Sequence, residues 1–269
     1  MIVAKLNNNI LLNDFTDGVL RLTLNDHQRR NALSVDMLSQ ITDELASAAN
    51  DTSVRVIVLA ASGPVFCAGH DLKEMTTARN QQDGGEAFFE QLFETCASVM
   101  QIIVRHPKPI IAEVGGVATA AGCQLVASCD LAIAAESAQF ATPGVNIGLF
   151  CSTPMVALSR NVSHKHAMEM LLLGEMLNAE KAVEIGLINR AVPKSELTQV
   201  TTAIASSITM KSPKTVAIGK RAFYEQAEMS LADAYSYTSK VMAKNMLSED
   251  AEEGIGAFLS KRPPIWRNS

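Results

Sequence analysis

Two strongly apolar runs constrain the fold of this chain, because each leads directly into a segment of small residues. Residues 54–60 read Val-Arg-Val-Ile-Val-Leu-Ala, and residues 110–114 read Ile-Ile-Ala-Glu-Val. Nearly continuous β-branched runs predict strands that are covered on both faces. A Ser-Gly-Pro turn then leads into residues 66–72, and a Gly-Gly turn leads into residues 117–124. The sequence therefore predicts two small-residue segments, each of which follows a buried strand.

Helical patterns alternate with these strands. One predicted helix begins at Ser34, and two others cover residues 86–104 and 120–128. Further strands are predicted at residues 19–24 and 131–135. This alternation indicates an α/β core with right-handed crossovers. After about residue 163 the pattern is helical almost throughout. We therefore divide the chain into a core, residues 1–190, and a C-terminal helical region, residues 191–269.

Composition argues against several classes of protein. Of the 269 residues, 48% are hydrophobic and 19% are charged, which suits one large core. The net charge of −5 argues against a nucleic-acid partner, because phosphate binding needs a basic face. Five cysteines without Cys-x-x-Cys spacing predict neither a disulfide framework nor a zinc ribbon. His164 and His166 have the wrong spacing for two metal ligands on one helical face.

The first residues and the hydropathy suggest a location. Residues 1–15 carry one lysine and no arginine, unlike a secretory signal or an Arg-rich transit peptide. No segment approaches the roughly 20 apolar residues that span a bilayer. We therefore predict a cytoplasmic protein without a membrane-spanning segment.

The two small-residue segments are suited to holding an oxyanion. Their backbone N–H groups can approach a ligand closely, and the second segment opens a predicted helix whose first amides lack partners. Two such donors on one carbonyl oxygen stabilise an enolate or a tetrahedral intermediate, typically by a few kcal/mol per donor. The alternative is that the glycines only permit tight turns and close packing.

Several short motifs occur in a characteristic order along nearly the whole chain. They include Ala68-Gly69-His70-Asp71, Gly122-Cys123-Gln124-Leu125, and residues 129–134, 184–189 and 258–263. As an ordered set they resemble the crotonase superfamily, the enoyl-CoA hydratases and isomerases. The resemblance implies a spiral of ββα units, a C-terminal α-helical trimerisation region, and a homotrimer or hexamer. It also implies an acyl-CoA thioester whose oxygen is held by the backbone N–H groups of His70 and Ala121.

The resemblance also identifies a departure at the predicted site. Hydratases of this family use two glutamates, one to activate water and one to handle the proton. The matching positions here are Gln124 and Gly144, and the loop at residues 145–154 contains neither Asp nor Glu. Neither an amide nor a glycine can act as a general base. The family's usual proton transfer therefore lacks its carboxylates.

Three residues within this loop are candidates to substitute for the carboxylates. Cys151, Ser152 and Thr153 lie where some relatives place a catalytic acid. A nucleophilic Cys151 would need a lowered pKa and a base partner. The plainer alternatives are a buried structural cysteine and a helix start at Ser152-Thr153-Pro154, with a capping hydroxyl.

Other polar residues near the first segment are further candidates. The His70 imidazole is an added group at the mouth of the site, either a substrate contact or an ordinary solvated histidine. Glu74 and Glu94 are candidate acids, or solvated side chains. The composition of residues 75–86 predicts a mobile loop that orders over a ligand.

For the CoA moiety, the resemblance implies Ala68, Lys73, Phe258 and Lys261 as contacts, the last two often from an adjacent subunit. Lysine is an expected counter-charge for the phosphates, and a solvated basic terminus is the alternative for Lys261. No metal is expected, and no cofactor apart from the CoA of the substrate.

The sequence thus leads to a functional hypothesis with open alternatives. The first is an enzyme, a lyase or isomerase of fatty-acid or acyl-CoA metabolism. A second is a family member whose reaction needs only oxyanion stabilisation, such as a decarboxylase or thioesterase. A third is a non-catalytic acyl-CoA-binding protein.

Overall fold

The computed structural model describes residues 9–267 as two β-sheets surrounded by helices. The strands are β1 (Leu11–Thr16), β2 (Val19–Leu24), β3 (Val56–Ala61), β4 (Val65–Cys67), β5 (Ile110–Val114), β6 (Val117–Thr119), β7 (Leu131–Ala135), β8 (Gln139–Ala141), β9 (Leu177–Asn178) and β10 (Arg190–Val192). The helices are α1 (Val35–Asn50), α2 (Leu72–Ala78), α3 (Glu86–Arg105), α4 (Ala121–Ser128), α5 (Pro154–Asn161), α6 (His164–Leu173), α7 (Ala179–Glu184), α8 (Leu197–Thr209), α9 (Pro213–Gln226), α10 (Leu231–Met246) and α11 (Glu249–Leu259). Short 3-10 helices cover His27–Arg29 and Pro143–Ile147.

The larger sheet has six strands in the order β1-β2-β3-β5-β7-β10. Strands β1 and β2 form an antiparallel hairpin, and every other neighbouring pair is parallel. The central strands are apolar on both faces, as the β-branched runs predict: all five residues of β5 are buried.

The smaller sheet explains how the chain winds. Its order is β4-β6-β8-β9, with β9 antiparallel to β8 and the other pairs parallel. In chain order, β3 leads directly into β4, β5 into β6, and β7 into β8, so that a strand of the larger sheet is followed each time by one of the smaller sheet. The first two pairs are then followed by the helices α2 and α4. This is the spiral of ββα units that the family resemblance predicts, and the α/β fold class is confirmed.

Two long helices form where their patterns predict them. The Ser34 hydroxyl caps α1 by accepting the Met37 N–H at 3.2 Å. The apolar face of α3 is buried, and the helix contacts α1 and α4. Among the residues described, α3 is also long and apolar enough to cross a membrane by length and composition alone. The sequence predicts no such segment. A single helix of this kind is weak evidence for a membrane span, and one face of α3 is buried against the rest of the protein.

The segment predicted as a mobile loop is partly helical. Residues 72–78 form α2, because the Asp71 carboxylate accepts the N–H groups of Lys73 and Glu74 and so caps the helix. Only residues 79–85 connect α2 to α3. The mobility of that connection stays a prediction.

The C-terminal helices are attached to the sheets in two ways. Helix α8 covers the larger sheet, where Leu197 and Ala205 join a buried apolar cluster with Val56, Val58 and Ile111. Helix α9 is held by an ion pair described below. The predicted division at residues 190 and 191 falls within β10, which pairs with β7. The two-part division and the trimerising role of the second part stay predictions.

Candidate active site

The two small-residue segments lie against each other. Gly69 has φ +92°, and a β-carbon on it would lie 2.9 Å from the Ala120 β-carbon and 3.3 Å from the Ala121 nitrogen. A β-carbon on Gly122 would lie 2.2 Å from the Cys67 carbonyl oxygen. Because neither position has room for a side chain, the glycines are required by close approach of the two backbones.

Both predicted donors are available at this crossing. Within residues 9–267, no hydrogen bond uses the backbone N–H of His70 or of Ala121. Ala121 is the first residue of α4, where an amide has no acceptor within the helix. The crossing therefore offers two unsatisfied N–H groups on adjacent segments, which is the arrangement that an oxyanion requires.

The residue before the second donor has a strained backbone. Ala120 has φ 51° and ψ −119°, a combination that residues with a β-carbon rarely adopt. Its N–H donates to the Ala141 carbonyl at 2.9 Å, and its carbonyl accepts the Gln124 N–H at 3.0 Å. These bonds to β8 and α4 hold the sharp turn that directs the Ala121 N–H. Sequence reasoning missed this feature, because an alanine carries no signal for a positive φ.

Gln124 lies one helical turn after the second donor. Its side chain is only 3% exposed, and the buried Oε1 has no hydrogen-bond partner among the described residues. The Thr142 hydroxyl, which follows β8, is likewise fully buried without a partner in the part of the chain described. The sequence identified Gln124 but not Thr142.

The second glutamate position is closed. A β-carbon on Gly144 would lie 2.8 Å from the Leu149 carbonyl oxygen and 2.9 Å from the Cys151 sulfur. Because one of these contacts is backbone, a larger side chain requires the loop itself to move. At the position that the resemblance assigns to the second glutamate, the loop of Leu149 and Cys151 thus leaves no room for a side chain.

The candidates around Cys151 lack the features of an activated nucleophile. The Cys151 thiol is buried, and burial raises its pKa, with a smaller opposing effect from the backbone of Gly144. The Ser152 hydroxyl is exposed and donates to the Phe150 carbonyl at 3.4 Å. Helix α5 begins at Pro154, as predicted. In the described structure the Thr153 side chain makes no capping hydrogen bond to this helix.

The two candidate glutamates have other surroundings. The Glu74 carboxylate accepts the Val35 N–H at 3.1 Å and lies 3.6 Å from the Arg29 guanidinium. It therefore ties α2 to the start of α1. Glu94 is exposed on α3.

The His70 ring lies beside the first donor and is largely enclosed. Both ring nitrogens are buried without a hydrogen-bond partner within residues 9–267, and the ring meets Phe93 edge-on with centroids 5.3 Å apart. Burial lowers the pKa of His70, and a backbone contact with Leu33 opposes this effect. Burial therefore favours the neutral form of the ring more than it is favoured in a histidine exposed to solvent.

The predicted CoA contacts are divided between two regions. Ala68 and Lys73 flank His70, with the Ala68 carbonyl accepting the Thr119 hydroxyl at 3.1 Å and Lys73 exposed on α2. Phe258 and Lys261 are exposed at the end of α11. The described hydrogen bonds around α11 lead instead to Met210 and Ser212. In the described part of the chain, no hydrogen bond or ion pair given for these four residues joins the two regions. Within residues 9–267 there is also no group of three His, Cys, Asp or Glu side chains able to hold a metal.

Known proteins share both the sequence and the fold. A protein named enoyl-CoA hydratase domain-containing protein 3, mitochondrial, from Rattus norvegicus is 47% identical over 250 residues, covering 93% of this chain and 82% of that protein. The crystal structure of human enoyl-CoA hydratase domain-containing protein 3 gives a TM-score of 0.91 at 45% identity, covering 96% of this chain and 100% of the other. That of an enoyl-CoA hydratase from Mycobacterium smegmatis gives 0.91 at 50% identity, covering 96% and 98%. Residues 140–154 of the sequence predict a resemblance to the first of these proteins, and the overall identity confirms it.

These relatives correct the predicted location. The proteins from rat, mouse, Xenopus laevis and human are all named mitochondrial, which points to mitochondria and contradicts the predicted cytoplasmic location. The wrong prediction rested on the charges of residues 1–15, and the composition of so short a segment is too little to decide import.

The family follows from the extent of the match as well as from the site. Residues 14–269 match the family model described as enoyl-CoA hydratase/isomerase. The match spans both sheets, the two donor segments and the C-terminal helices. The chain belongs to the enoyl-CoA hydratase/isomerase family and has the crotonase fold.

Proposed function

We propose that this protein binds an acyl-CoA thioester and holds its carbonyl oxygen between the N–H groups of His70 and Ala121. The observation that carries the proposal is the pair of unsatisfied backbone donors on two segments in close contact. A thioester oxygen gains negative charge in enolate formation and in acyl transfer, and fixed donors stabilise that charge. CoA enters as part of the substrate, and the proposal includes no separate cofactor.

The side chains at the two glutamate positions limit the chemistry. The Gln124 amide can orient a water molecule or a substrate oxygen, but it cannot accept a proton. Gly144 offers no group, and the loop beside it fills the space. The proposed enzyme of acyl-CoA or fatty-acid metabolism therefore relies on oxyanion stabilisation, with proton transfer by the substrate or by water.

A non-catalytic acyl-CoA-binding protein is the second candidate. The observation that favours it is the lack of space at Gly144, where the loop backbone occupies the place proposed for a catalytic acid. Rotation of a side chain cannot clear this space, because the contact is with the backbone of Leu149. Both candidates require the same oxyanion site and differ in turnover.

Crotonyl-CoA in oxygen-18 water separates these functions, with the CoA species and the free acid followed by mass spectrometry. Labelled 3-hydroxyacyl-CoA above background indicates hydration without either glutamate. Labelled crotonate with free CoA indicates thioester hydrolysis. Unchanged crotonyl-CoA together with measurable binding of butyryl-CoA, by calorimetry, favours the binding protein. Absence of binding by every acyl-CoA tested contradicts the proposed function.

We also propose a homotrimer, alone or paired into a hexamer. The support is the exposed apolar surface of α10, where Leu231 is 77% exposed and Tyr235 is 69% exposed. Light scattering after size exclusion tests this proposal. A mass of one chain contradicts it, and a mass of three or six chains agrees with it. In such an assembly Phe258 and Lys261 would reach the CoA of a neighbouring subunit.

A further inference from the structure

The chain reverses its direction after α11 and runs back along the same helix. The N–H of Lys261 donates to the Phe258 carbonyl at 3.1 Å, and the N–H of Arg262 donates to the Ala257 carbonyl at 3.0 Å. These two bonds form a Schellman motif, in which Lys261, with φ 52°, takes the left-handed position that glycine usually occupies. We name residues 262–267, which follow this turn, the strap.

Two carboxylates on α11 bind the strap. The Arg262 guanidinium donates to both oxygens of Glu253 at 2.6 and 2.8 Å, and the Ile265 N–H donates to the same carboxylate at 2.8 Å. The Arg267 N–H donates to the Asp250 carboxylate, about one turn earlier on the helix, at 2.7 Å. The strap therefore lies antiparallel to α11 and is held by charge-assisted bonds.

Trp266 joins the strap to a second element. Its indole N–H donates to the Met210 carbonyl at 2.7 Å, in the turn between α8 and α9. Its ring lies against Gly254 of α11, where a β-carbon would come within 3.2 Å of two ring carbons. The half-buried indole thus fills the corner between α11 and the turn.

The turn that accepts the indole is itself anchored to the larger sheet. Arg55, the residue before β3, donates from its guanidinium to the Lys211 carbonyl. The Ser212 hydroxyl donates to the Asp250 carboxylate at 2.6 Å, and both of these residues are buried. Through this turn, hydrogen bonds connect the strap and α11 to the edge of β3.

Apolar burial contributes little to holding the end of α11 within the described chain. Ala257 is the one buried apolar residue of this helix, whereas Phe258 and Leu259 are 82% and 74% exposed. The polar contacts of the strap therefore fix the direction of the helix end. Lys261 keeps its left-handed backbone because the helix and the strap hold it from both sides.

We propose that Glu253 and Trp266 are positioning residues: through the strap, they hold Phe258 and Lys261 where these two side chains reach the nucleotide end of CoA. The inference rests on the proposed function, which supplies the CoA. Glu253 and Trp266 act without contact with the ligand. They restrict the motion of the helix end before CoA binds, so that binding loses less conformational freedom.

Two thioesters separate this positioning role from a general structural one. Butyryl-CoA carries the nucleotide, and S-butyryl-pantetheine has the same acyl group without it. In calorimetry on the full-length protein, Glu253→Gln and Trp266→Phe should each weaken butyryl-CoA binding by about threefold to tenfold, because each change removes bonds of the strap. The affinity for S-butyryl-pantetheine should stay unchanged.

Hydrogen exchange shows whether the two variants act through α11. Both should exchange the amides of residues 255–262 at least about threefold faster than the wild type, because the helix end opens locally more often. Ile265→Ala is the matched control within the strap, since the Ile265 side chain is 75% exposed and only its backbone N–H contacts Glu253. This control should leave the exchange rates and both affinities unchanged.

Three results overturn the inference. Unchanged exchange of residues 255–262 in both variants would mean that the strap does not hold the helix end. Faster exchange with unchanged butyryl-CoA affinity would mean that the helix end does not govern CoA binding. An equal loss of affinity for the two thioesters would indicate a general structural effect. Failure of the wild-type protein to bind butyryl-CoA contradicts the proposed function and the inference with it, whereas the three results above leave the proposed function intact.

Discussion

Gly122 packs against the backbone of Cys67 so closely that a β-carbon on the glycine would lie 2.2 Å from the carbonyl oxygen. This contact joins the two donor segments. We predict that Gly122→Ala separates them and lowers acyl-CoA affinity by about tenfold or more, since a backbone oxygen cannot move away as a side chain can. Titration calorimetry with butyryl-CoA measures the effect.

Gly219→Ala is the matched control for this variant. A β-carbon on Gly219 in α9 meets nothing within 4 Å, so this variant should keep its affinity and gain about 0.5–1 kcal/mol of stability. Unchanged affinity in a folded Gly122→Ala protein would mean that the segment contact does not position the donors.

The closed second glutamate position gives another prediction. Gly144→Ala should reduce the free energy of unfolding by about 1–3 kcal/mol, because its β-carbon meets the Leu149 carbonyl and the Cys151 sulfur. Adding Cys151→Ala should recover part of this loss, since it removes the side-chain contact and leaves the backbone contact. Urea denaturation measures both.

The same closure affects any attempt to restore hydratase activity. Gln124→Glu combined with Gly144→Glu supplies two carboxylates, but the second cannot enter without movement of the loop that contains Leu149. We expect this double variant to be destabilised and to gain little hydration of crotonyl-CoA. Efficient hydration by a double variant of wild-type stability would contradict the closed geometry.

An enclosed ion pair holds α9 to the sheets. The Lys220 ammonium is 2.6 Å from the Asp130 carboxylate, 3.0 Å from the Ile103 carbonyl and 3.1 Å from the Lys108 carbonyl. Lys220→Met should lower the free energy of unfolding by about 3–5 kcal/mol, because it leaves a largely enclosed carboxylate without its cation. Tyr224 donates to the same carboxylate and lessens the loss.

An exposed pair serves as the control for that variant. Lys181 and Glu184 lie three residues apart on the surface, so Lys181→Met should cost no more than about 1 kcal/mol. Equal effects of Lys220→Met and Lys181→Met in chemical denaturation would show that the enclosed pair contributes no special stability.

Two enclosed histidines predict how stability depends on pH. Burial lowers the pKa of both His70 and His106 from the ordinary value of 6.5. The unfolded chain therefore binds more protons below that pH, and folding stability should decrease as the pH falls through 6.5 towards 5. Each histidine contributes a slope of at most about 1.4 kcal/mol per pH unit. Above pH 7 their contribution should be constant.

Variants separate the histidines in this pH range. His106→Gln should make the acid-side decrease in the free energy of unfolding shallower, whereas His164→Gln, at an exposed position, should leave it unchanged. Denaturation curves at pH 7.5, 6.5 and 5.5 provide the comparison. A stability that rises on acidification over this range would contradict the neutral, buried state of the two rings.

The sequence predicts the parts of the fold that depend on long apolar patterns. Helices α1 and α3 and strands β3 and β5 appear where periodicity and β-branching place them, because burial on a long face dominates their formation. The three-residue strands β4, β6 and β8 carry too short a pattern to be recognised. They exist because each pairs with its neighbour in the smaller sheet.

The site is predictable to a similar degree. The donor segments can be identified from their glycines, because close approach and positive φ leave a signature in residue type. The strain at Ala120, the orphan hydroxyl of Thr142 and the contact between Gly144 and Leu149 leave none, since they arise from elements that meet only in three dimensions. The sequence predicts that Gln124 and Gly144 stand at the two glutamate positions, but it does not predict the shape of the loop that closes around Gly144.

Infrared spectroscopy of bound butyryl-CoA tests the oxyanion site most directly. Difference spectra between carbon-12 and carbon-13 at the thioester carbon isolate the stretching band of that carbonyl in the complex. If the His70 and Ala121 N–H groups both donate to the oxygen, the band should move to lower frequency than in water, and Gly122→Ala should reverse most of the shift. A bound thioester whose carbonyl frequency equals that in water would contradict the account.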